Sequence, residues 1–338
     1  MVYGAIDLHT RHSEIRIVDS EGVVIRERRI VTSRERLVAA FAGVGPIRVL
    51  LEASTESEWA ACALEDAGYT VIVGDPNYVP MYGERYRRVK TDRRDVAALA
   101  EANRRGWVRP AYRRSAGQRA VQQHLASRRA VVQMRTAAIS VLRSILRQEG
   151  YRVARGSSAR LPVRLAALAL PPDLDARLTP LRRTIASLTA EIRALDETLA
   201  AHAAADPVVA RLQTVPGVGV VVASTFRAFI DEVRRFGTAA QVSAALGLVP
   251  REDSSAERRH RGHITKAGPS ELRSVLIQAA WACWRSHGSG TLRAWVDAVA
   301  RRRGRRIAVV ALARRLSRIL FAIWRDGTVF QPAVLAAA

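Results

Sequence analysis

Short apolar runs alternate with helical spacing over the first 107 residues. Five brief segments are apolar or alternate apolar with polar positions, which is the pattern of a strand. The predicted strands span residues 2–8, 14–18, 23–25, 47–51 and 69–73. The predicted helices span residues 33–41, capped by Ser33, then 56–67 and 92–105. Three strands followed by helix, strand, helix, strand and helix predict an α/β, ribonuclease-H-like domain over residues 1–107.

The clearest periodicity of the chain lies further on. Apolar side chains recur at alternating spacings of four and three, at Leu174, Leu178, Leu181, Ile185, Leu188, Ile192, Leu195 and Leu199. A heptad seam of about four repeats predicts a coiled-coil arm. Its helix is expected to start near Pro180. The alternative is an antiparallel hairpin of helices within one chain.

An arginine-rich helical segment precedes the heptads. Residues 113–160 hold 11 arginines and a single acidic residue, Glu149. Arg128 and Arg135 stand at two seam positions of a weaker heptad stripe, where a basic residue weakens self-association. We therefore expect this helix to present arginines to a polyanion. With the heptads it makes up the predicted arm, residues 108–205.

The last region, residues 206–338, is predicted to be a mostly α-helical domain with a basic loop. Its Val-Pro-Gly-Val-Gly run at 215–219 is similar to a helix-hairpin-helix turn. In such a turn the amides around Gly217 and Gly219 would hold a backbone phosphate. A plain turn between core helices is the alternative. Two tryptophans at helical spacing are expected in the core, Trp281 and Trp284.

Charge narrows the choice of partner. The 338 residues include 52 Arg, 2 Lys and 31 acidic residues, which give a formal net charge of +23. Residues 1–107 are neutral overall, whereas 108–205 carry a net +11 and 206–338 a net +12. Guanidinium groups bind phosphate oxygens in a bidentate geometry. This uneven excess favours a nucleic acid over a membrane surface.

The remaining composition excludes several classes of protein. The two cysteines, Cys62 and Cys283, exclude a disulfide framework and a multi-cysteine zinc site. No apolar stretch approaches the roughly 18 residues that span a bilayer. No export signal is visible in the first residues. We therefore expect a cytoplasmic protein without a membrane partner.

Four carboxylates stand at the ends of the predicted elements. Asp7 lies in an apolar strand and Glu52 ends another, both costly places for an unpaired charge. Asp92 and Asp95 are three residues apart at a helix start, so they project from one face. In a ribonuclease-H-like sheet the first and fourth strands are neighbours, and the last helix packs across them. Converging oxygen ligands with open positions suit Mg²⁺ or Mn²⁺.

These residues stand in motifs that resemble a known family. Gly4-Ala-Ile-Asp7, Leu51-Glu-Ala53 and Lys90-Thr-Asp-Arg-Arg-Asp95 are similar to the DEDD motif of bacterial insertion-sequence transposases of the 110/1111 type, relatives of Piv-like DNA invertases. The C-terminal half independently resembles their Transposase-20 domain. It does so through Val215–Gly219, Gly247-Leu-Val-Pro250, Ser254-Ser255, Arg261–Gly268 and Leu272-Arg273.

The resemblance implies that different regions of the chain have different roles. It implies a RuvC-like nuclease domain, a coiled-coil arm and a helical domain that carries a serine nucleophile. The family's serine falls on Ser255, with Ser254 as the alternative because Ala256 stands where the family usually has glycine. A metal held by the carboxylates would polarise the scissile phosphate. Four nearby cations would offset the developing charge: Arg258, Arg259, Arg261 and Lys266.

The function implied is transposition through a phosphoserine–DNA intermediate. Donor and target DNA would be the substrates, and a structured RNA encoded beside the gene would be the guide. A coiled coil suits a homo-oligomer, a dimer or tetramer, that assembles several active sites. One alternative is a Holliday-junction resolvase that cuts with metal-activated water and needs no Ser255. Another is a non-catalytic nucleic-acid-binding protein with a degenerate nuclease fold.

Overall fold

The chain folds into two compact units. The computed structural model describes residues 1–78, 92–255, 258–286 and 290–332, and only the backbone of 253–255 and 258–261. The first unit is Met1–Arg113 and the second is Arg114–Ala338. The predicted arm and the predicted C-terminal domain therefore both contribute to the second unit.

A mixed five-stranded sheet forms the first unit. Its strands are Val2–Asp7 (β1), His12–Val18 (β2), Val24–Val31 (β3), Ile47–Glu52 (β4) and Thr70–Gly74 (β5). The order across the sheet is β3-β2-β1-β4-β5. The first three strands are antiparallel, whereas β4 lies parallel to both β1 and β5. The expectation that the first and fourth strands are neighbours is confirmed.

Within residues 1–78 and 92–113, three helices cover the sheet. They are Arg34–Ala40 (α1), Ser57–Asp66 (α2) and Asp92–Arg105 (α3). Residues that alternate along a strand point to opposite faces. Ile6 and Leu51 pack into the core that α1 and α2 share, whereas Ala5 and Leu50 pack against α3. The predicted α/β architecture of this region is thus observed, with α3 over the predicted residues.

The second unit is mostly helical. Its helices are Ala116–Gln148 (α4), Leu161–Ala166 (α5), Pro172–Ala204 (α6), Pro207–Leu212 (α7), Val220–Ile230 (α8), Ala239–Ala245 (α9), Ser270–Arg285 (α10), Gly290–Arg303 (α11) and Arg305–Asp326 (α12). Helices α7 to α12 enclose a core that contains the fully buried Phe226, Leu276 and Leu312. Along the described residues, none of the helices is both long and apolar enough to cross a membrane.

Helices α4 and α6 run antiparallel and pack along each other. Apolar residues near the end of α4 and the start of α6 share one cluster: Ile139, Leu142, Leu146, Leu174, Leu178 and Ile185. At the other end Leu125 of α4 packs with Leu199 of α6. The heptads of α6 are therefore used within the chain. Over this segment the structure shows the intrachain hairpin, which was the alternative to a coiled-coil arm.

The prediction that this helix starts near Pro180 is wrong. Helix α6 starts at Pro172, where the missing N–H of proline costs no helical bond, and it continues through Pro180. A proline inside a helix costs about 3 kcal/mol. Burial of Leu174 and Leu178 on the N-terminal side of Pro180 offsets that cost.

The predicted basic loop of the C-terminal region is instead a β-hairpin. Its strands are Pro250–Ser255 (β6) and Arg258–Ile264 (β7), paired antiparallel. The sequence Pro-Arg-Glu-Asp-Ser-Ser has no apolar alternation, so the strand pattern of a half-buried sheet is missing. The hairpin contains the serines and arginines singled out by the sequence.

Candidate functional site

Two of the predicted acidic residues end neighbouring inner strands of the sheet. Asp7 is the last residue of β1 and Glu52 the last residue of β4, and the parallel register pairs Ile6 with Leu51 just before them. Ile6 and Leu51 are fully buried. The Asp7 side chain is only 17% exposed. Apolar strand interiors thus fix both backbones, and the carboxylates emerge where the strands end.

Helix α3 adds the other two carboxylates. Its apolar face packs on the sheet through Val96 and Leu99. Asp92, the first residue of the helix, has a side chain that is 58% exposed, whereas Asp95 is buried. Asp95 is close enough to Asp7 to influence its ionisation. The convergence of α3 on the end of β1, which the sequence predicted, is therefore present.

His9 belongs to the same group, although it is not among the site residues predicted from the sequence. Its Nε2 atom lies 3.3 Å from Oδ2 of Asp7 and 3.9 Å from Oδ1 of Asp92. One ligand atom from each of these three residues lies within 4.8 Å of the others. Alternate residues of an extended chain project to the same side, so the Asp-Leu-His spacing could have indicated His9. Among the described residues, Glu52 and Asp95 lie outside this tight group.

The electrostatics of the group favour a cation. Burial raises the pKa of the Asp7 carboxyl above its usual range, and the charges of Asp95 and Asp92 raise it further. The nearby imidazole of His9 acts in the opposite direction. A carboxylate that is desolvated beside two others is stabilised by a divalent ion among them. Two carboxylates and an imidazole within reach of one atom fit such an ion.

A buried asparagine holds α3 in place, and the sequence reading missed it. The Asn103 side chain is fully buried. Its amide nitrogen donates to the carbonyl oxygens of Gly4 and Arg48, each at 2.8 Å, and its oxygen accepts from Arg48 Nε at 2.9 Å. The helix that carries Asp92 and Asp95 is thereby bonded to both β1 and β4. An asparagine on a helix resembles a surface residue in sequence, so no signal pointed to it.

The hairpin carries the predicted serines. Its backbone register pairs Ser255 with Arg258 and Ser254 with Arg259. Arg261 lies opposite Glu252 on the same two strands. The side chains of these serines and arginines lie outside the described part of the chain. Each serine backbone is therefore placed opposite an arginine, and the choice between Ser255 and Ser254 stays a prediction.

A close crossing of two chain segments anchors the hairpin. Gly247 and Gly268 both have positive φ angles, +64° and +71°. A Cβ atom on Gly247 would lie 2.3 Å from the oxygen of Ala267. Arg273 donates to the carbonyl oxygens of Leu246 and Ala267, at 3.0 and 2.9 Å. These motif residues hold the base of the hairpin together.

Lys266 lies at the same crossing. Its side chain is exposed, and its backbone adopts a left-handed conformation with φ of 56°. Its amide donates to the carbonyl oxygen of Gly247 at 3.2 Å. The one cation of the predicted set whose side chain is described is thus free to reach solvent next to the hairpin.

The two glycines of the 215–219 turn have different surroundings. Gly217 has φ of +82°, and a Cβ there would lie 2.4 Å from the backbone nitrogen of Cys283 in α10. Close packing of the turn on α10 therefore requires a glycine at this position. Gly219 is exposed at the start of α8, with open space around its Cα. A phosphate contact by either glycine stays a prediction.

Arg128 and Arg135 face α6. Arg128 forms an ion pair with Asp196, in which Nη2 lies 3.3 Å from Oδ2. Nη1 of Arg135 lies 3.5 Å from the hydroxyl of Thr189. The seam arginines thus occupy the interface of the helical hairpin. Whether they also contact a nucleic acid stays a prediction.

Comparison with known proteins gives two family matches. Residues 209–295 match the profile described as "Transposase IS116/IS110/IS902 family". Residues 5–150 match a second transposase profile, the DEDD type of the IS110 group. The second match covers the sheet, the carboxylate group and α4. DEDD transposase domains are named for four acidic residues, which accords with use of a divalent metal.

Curated relatives extend over nearly the whole chain. A "Probable family 20 transposase" of Pseudomonas aeruginosa is 30% identical over 97% of this chain and 98% of its own length. The transposase for insertion sequence element IS1111A of Coxiella burnetii is 32% identical, over 90% and 85%. The transposase for IS1328 of Yersinia enterocolitica is 28% identical, over 96% and 97%.

Proposed function

The chain belongs to the IS116/IS110/IS902 family of insertion-sequence transposases, and from this premise we propose that it excises and inserts a mobile DNA element through a covalent phosphoserine–DNA intermediate. The observation that carries the proposal is the group formed by Asp7, His9 and Asp92 at the end of β1. An acidic group of this kind suits phosphodiester chemistry, and the second unit supplies serines in a basic hairpin.

The carboxylate group would hold Mg²⁺ or Mn²⁺. Asp7 and Asp92 would be its ligands together with His9, and Glu52 and Asp95 would support them from the adjacent strand and the next helical turn. When bound, the ion polarises the scissile phosphate and neutralises charge on its oxygens. Asn103 and the buried strand ends keep the ligands in place before the ion binds.

Ser255 would form the covalent link. Its Oγ attacks the phosphorus of the scissile phosphodiester and loses its proton to solvent. The bond to the deoxyribose oxygen of one strand end breaks, and that end leaves as a hydroxyl. The hydroxyl of another strand then attacks the phosphoserine and restores the serine. The bond energy is conserved, so the strands are rejoined without ATP.

The basic second unit would bind the nucleic acids. Donor and target DNA are the substrates in this proposal, and a structured guide RNA is the further partner. The excess of arginine beyond residue 107 supports it, because each phosphate contact releases counterions and favours binding. Strand exchange between two duplexes needs several active sites, so we include a homo-oligomer, a dimer or tetramer, in the proposal.

A cell assay tests the recombination. The gene with its native flanking DNA is introduced into cells, and the excised circular junction is amplified and sequenced. We expect the junction with the wild type and with Asp66→Asn, a control for an exposed acid at the end of α2. We expect it to be lost with Asp7→Ala and with Ser255→Ala. A junction retained in Asp7→Ala would contradict a role of the carboxylate group in the reaction.

A second assay identifies the nucleophile. Purified protein is incubated with end-labelled donor DNA and divalent metal, and adducts that survive detergent are mapped by mass spectrometry. We expect the label on Ser255, absent from Ser255→Ala and present in Ser254→Ala. Label on Ser254 instead would move the nucleophile by one residue. Cleavage without any adduct would favour the resolvase alternative, in which water attacks.

A further inference from the structure

An open pocket in the second unit plays no part in the chemistry described so far. It lies between α10, α11 and α12 and has a volume of about 750 Å³. Trp281 and Trp284 line one part of it, and Ala300 and four arginines line the rest together with Asp297. Its size falls in the range of pockets that bind small molecules or single nucleotides.

The two tryptophans form a fixed aromatic surface. Their rings are stacked, with centroids 5.4 Å apart and planes 14° from parallel. Both are half-buried, and their inner edges pack on the core of α7 to α12. Nε1 of Trp284 donates to Oδ1 of Asp297 at 2.8 Å. The sequence led us to expect both indoles in the core, but both also line the pocket.

The charge around this surface is strongly positive. Arg285, Arg293 and Arg301 are exposed side chains on the pocket wall. The guanidinium carbon of Arg305 lies 5.5 Å from the centre of the Trp284 ring. Asp297 is the acidic residue of the wall, and its carboxylate already accepts the hydrogen bond from Trp284. Four guanidinium groups therefore surround one aromatic platform with a single opposing charge.

We propose that this pocket binds an unpaired nucleotide of a single-stranded nucleic acid. The base stacks on the Trp281–Trp284 pair, and the surrounding arginines bind the phosphates on either side of it. Bases stack on aromatic side chains through their π-faces, and arginines follow the backbone, in proteins that bind single strands. A base inside a duplex has both faces covered by its neighbours and cannot use the platform.

This site is independent of the carboxylates and of the serines. The proposal therefore stands or falls without cleavage, a metal or a covalent adduct. It predicts that a single strand of DNA or RNA binds more tightly than its phosphate charge alone accounts for. The DNA and RNA arms of one experiment show which of the two supplies the nucleotide.

The test uses the full chain and fluorescence anisotropy. Labelled 12-mers of oligo(dT), of oligo(rU) and of a matched duplex are titrated with the wild type and with Trp281→Leu. Loss of base–aromatic stacking is expected to weaken single-strand binding about 5- to 100-fold. Duplex binding is expected to stay within about twofold. The strand whose binding is weakened by Trp281→Leu, oligo(dT) or oligo(rU), shows whether DNA or RNA supplies the nucleotide.

The matched control is Trp295→Leu. Trp295 is also half-buried in the second unit, with Arg315 4.8 Å from its ring centre, but it does not line the pocket. Its loss is expected to leave single-strand affinity within about twofold. Equal losses in Trp281→Leu and Trp295→Leu, or equal losses for duplex and single strand, would overturn the proposal.

A coupling measurement does not depend on how well one variant folds. An oligonucleotide with a central run of abasic sites is expected to bind the wild type several-fold more weakly than the intact strand. The Trp281→Leu variant is expected to bind the abasic strand and the intact strand with the same affinity. The stacking contact between base and indole is already absent from that variant. Trp284→Phe keeps a ring and is expected to retain most affinity. An abasic strand that binds the wild type as well as the intact one would refute base stacking.

Discussion

Asp7 is the residue on which the carboxylate group depends. It is the least exposed of the three that face one another, and its charge is opposed by burial and by two further carboxylates. We predict that Asp7→Asn lowers the affinity for Mn²⁺ by at least about a hundredfold and His9→Gln by about tenfold. Calorimetric titration of Mn²⁺ into the purified protein measures both.

Asp66→Asn is the control for this prediction. Asp66 belongs to the same unit, its side chain is 77% exposed, and its contact with Arg34 is a loose surface pair at 3.9 Å. It should bind Mn²⁺ as the wild type does. An unchanged affinity in His9→Gln would remove the imidazole from the ligand set and leave the carboxylates alone.

The glycine turn at 215–219 yields a second prediction at this scale. Gly217→Ala forces a Cβ against the backbone of α10 and strains a positive φ angle. We expect it to destabilise the second unit by about 3 kcal/mol or more. Gly219→Ala, in open space with ordinary φ, should change stability by less than about 0.5 kcal/mol. Urea denaturation followed by circular dichroism compares the two.

Gly219→Ala also keeps the backbone amide that would hold a phosphate, so DNA affinity should persist together with the fold. A Gly217→Ala protein as stable as the wild type would show that the turn relaxes away from α10.

Individual site residues were predictable where they interrupt or end a regular pattern of apolar residues. Asp7 and Glu52 stood out because a charge in or beside an apolar strand is rare, and Asp92 because it starts a helix. His9 and Asn103 did not stand out. One is exposed beyond a strand end, and the other is a polar residue whose burial depends on the carbonyls of two distant strands.

At the scale of elements, α3 is the part that brings the first unit's chemistry together. Asn103→Leu leaves the carbonyl oxygens of Gly4 and Arg48 without their donor, which should cost about 3 kcal/mol. We expect the loosened helix also to bind Mn²⁺ about tenfold more weakly, since Asp92 and Asp95 move with it. Thermal unfolding and Mn²⁺ titration give the two readings.

Asn77→Ala serves as the comparison for Asn103→Leu. Asn77 is an exposed asparagine of the same unit, and its side chain bonds to the neighbouring Asp75. Its loss should change stability by less than about 0.5 kcal/mol. If Asn103→Leu lowers stability and leaves the metal affinity unchanged, the apolar face of α3 is enough to position Asp92 and Asp95. The hydrogen bonds of Asn103 then contribute to stability alone.

Elements with a strong period were predicted well, and those without one were not. The strands of the first unit followed from apolar runs, and α3 followed from the helix start at Asp92. The pairing of the first and fourth strands followed from the ribonuclease-H-like order of elements. The β6–β7 hairpin was predicted as a loop because its strands lack an apolar alternation. The close backbone approaches at Gly247 and Gly268, which lie at its base, left no apolar pattern in the sequence. The predicted start of helix α6 was too late, because tertiary packing outweighs the tendency of Pro180 to interrupt a helix.

At the scale of the whole molecule, the proposed homo-oligomer requires an apolar surface that one chain leaves partly exposed for contact with another. Within the chain, seam positions of α6 such as Ile185 and Ile192 are buried, whereas Leu188 and Leu195 stay half-buried. We predict that Leu188→Glu lowers the molar mass measured by light scattering toward that of one chain without loss of helicity.

Ser187→Glu is the matched control for the oligomer. Ser187 is the exposed residue just before Leu188 on α6, so the added charge is the same and the apolar row is untouched. It should leave the molar mass unchanged. A wild type that is monomeric both with and without nucleic acid would contradict the oligomer itself.

The base of the hairpin has a practical consequence. Of 338 residues only Lys90 and Lys266 are lysines, and Lys90 lies outside the described part of the chain. Lys266 is exposed where the strand β7 ends and the two chain segments cross. Reagents that acylate side-chain amines, from acetyl donors to fluorescent esters, therefore meet almost no competing target. In a protein whose positive charge is nearly all arginine, such a dye would act as a reporter fixed at the base of the hairpin, at the opposite end of the strands from the serines.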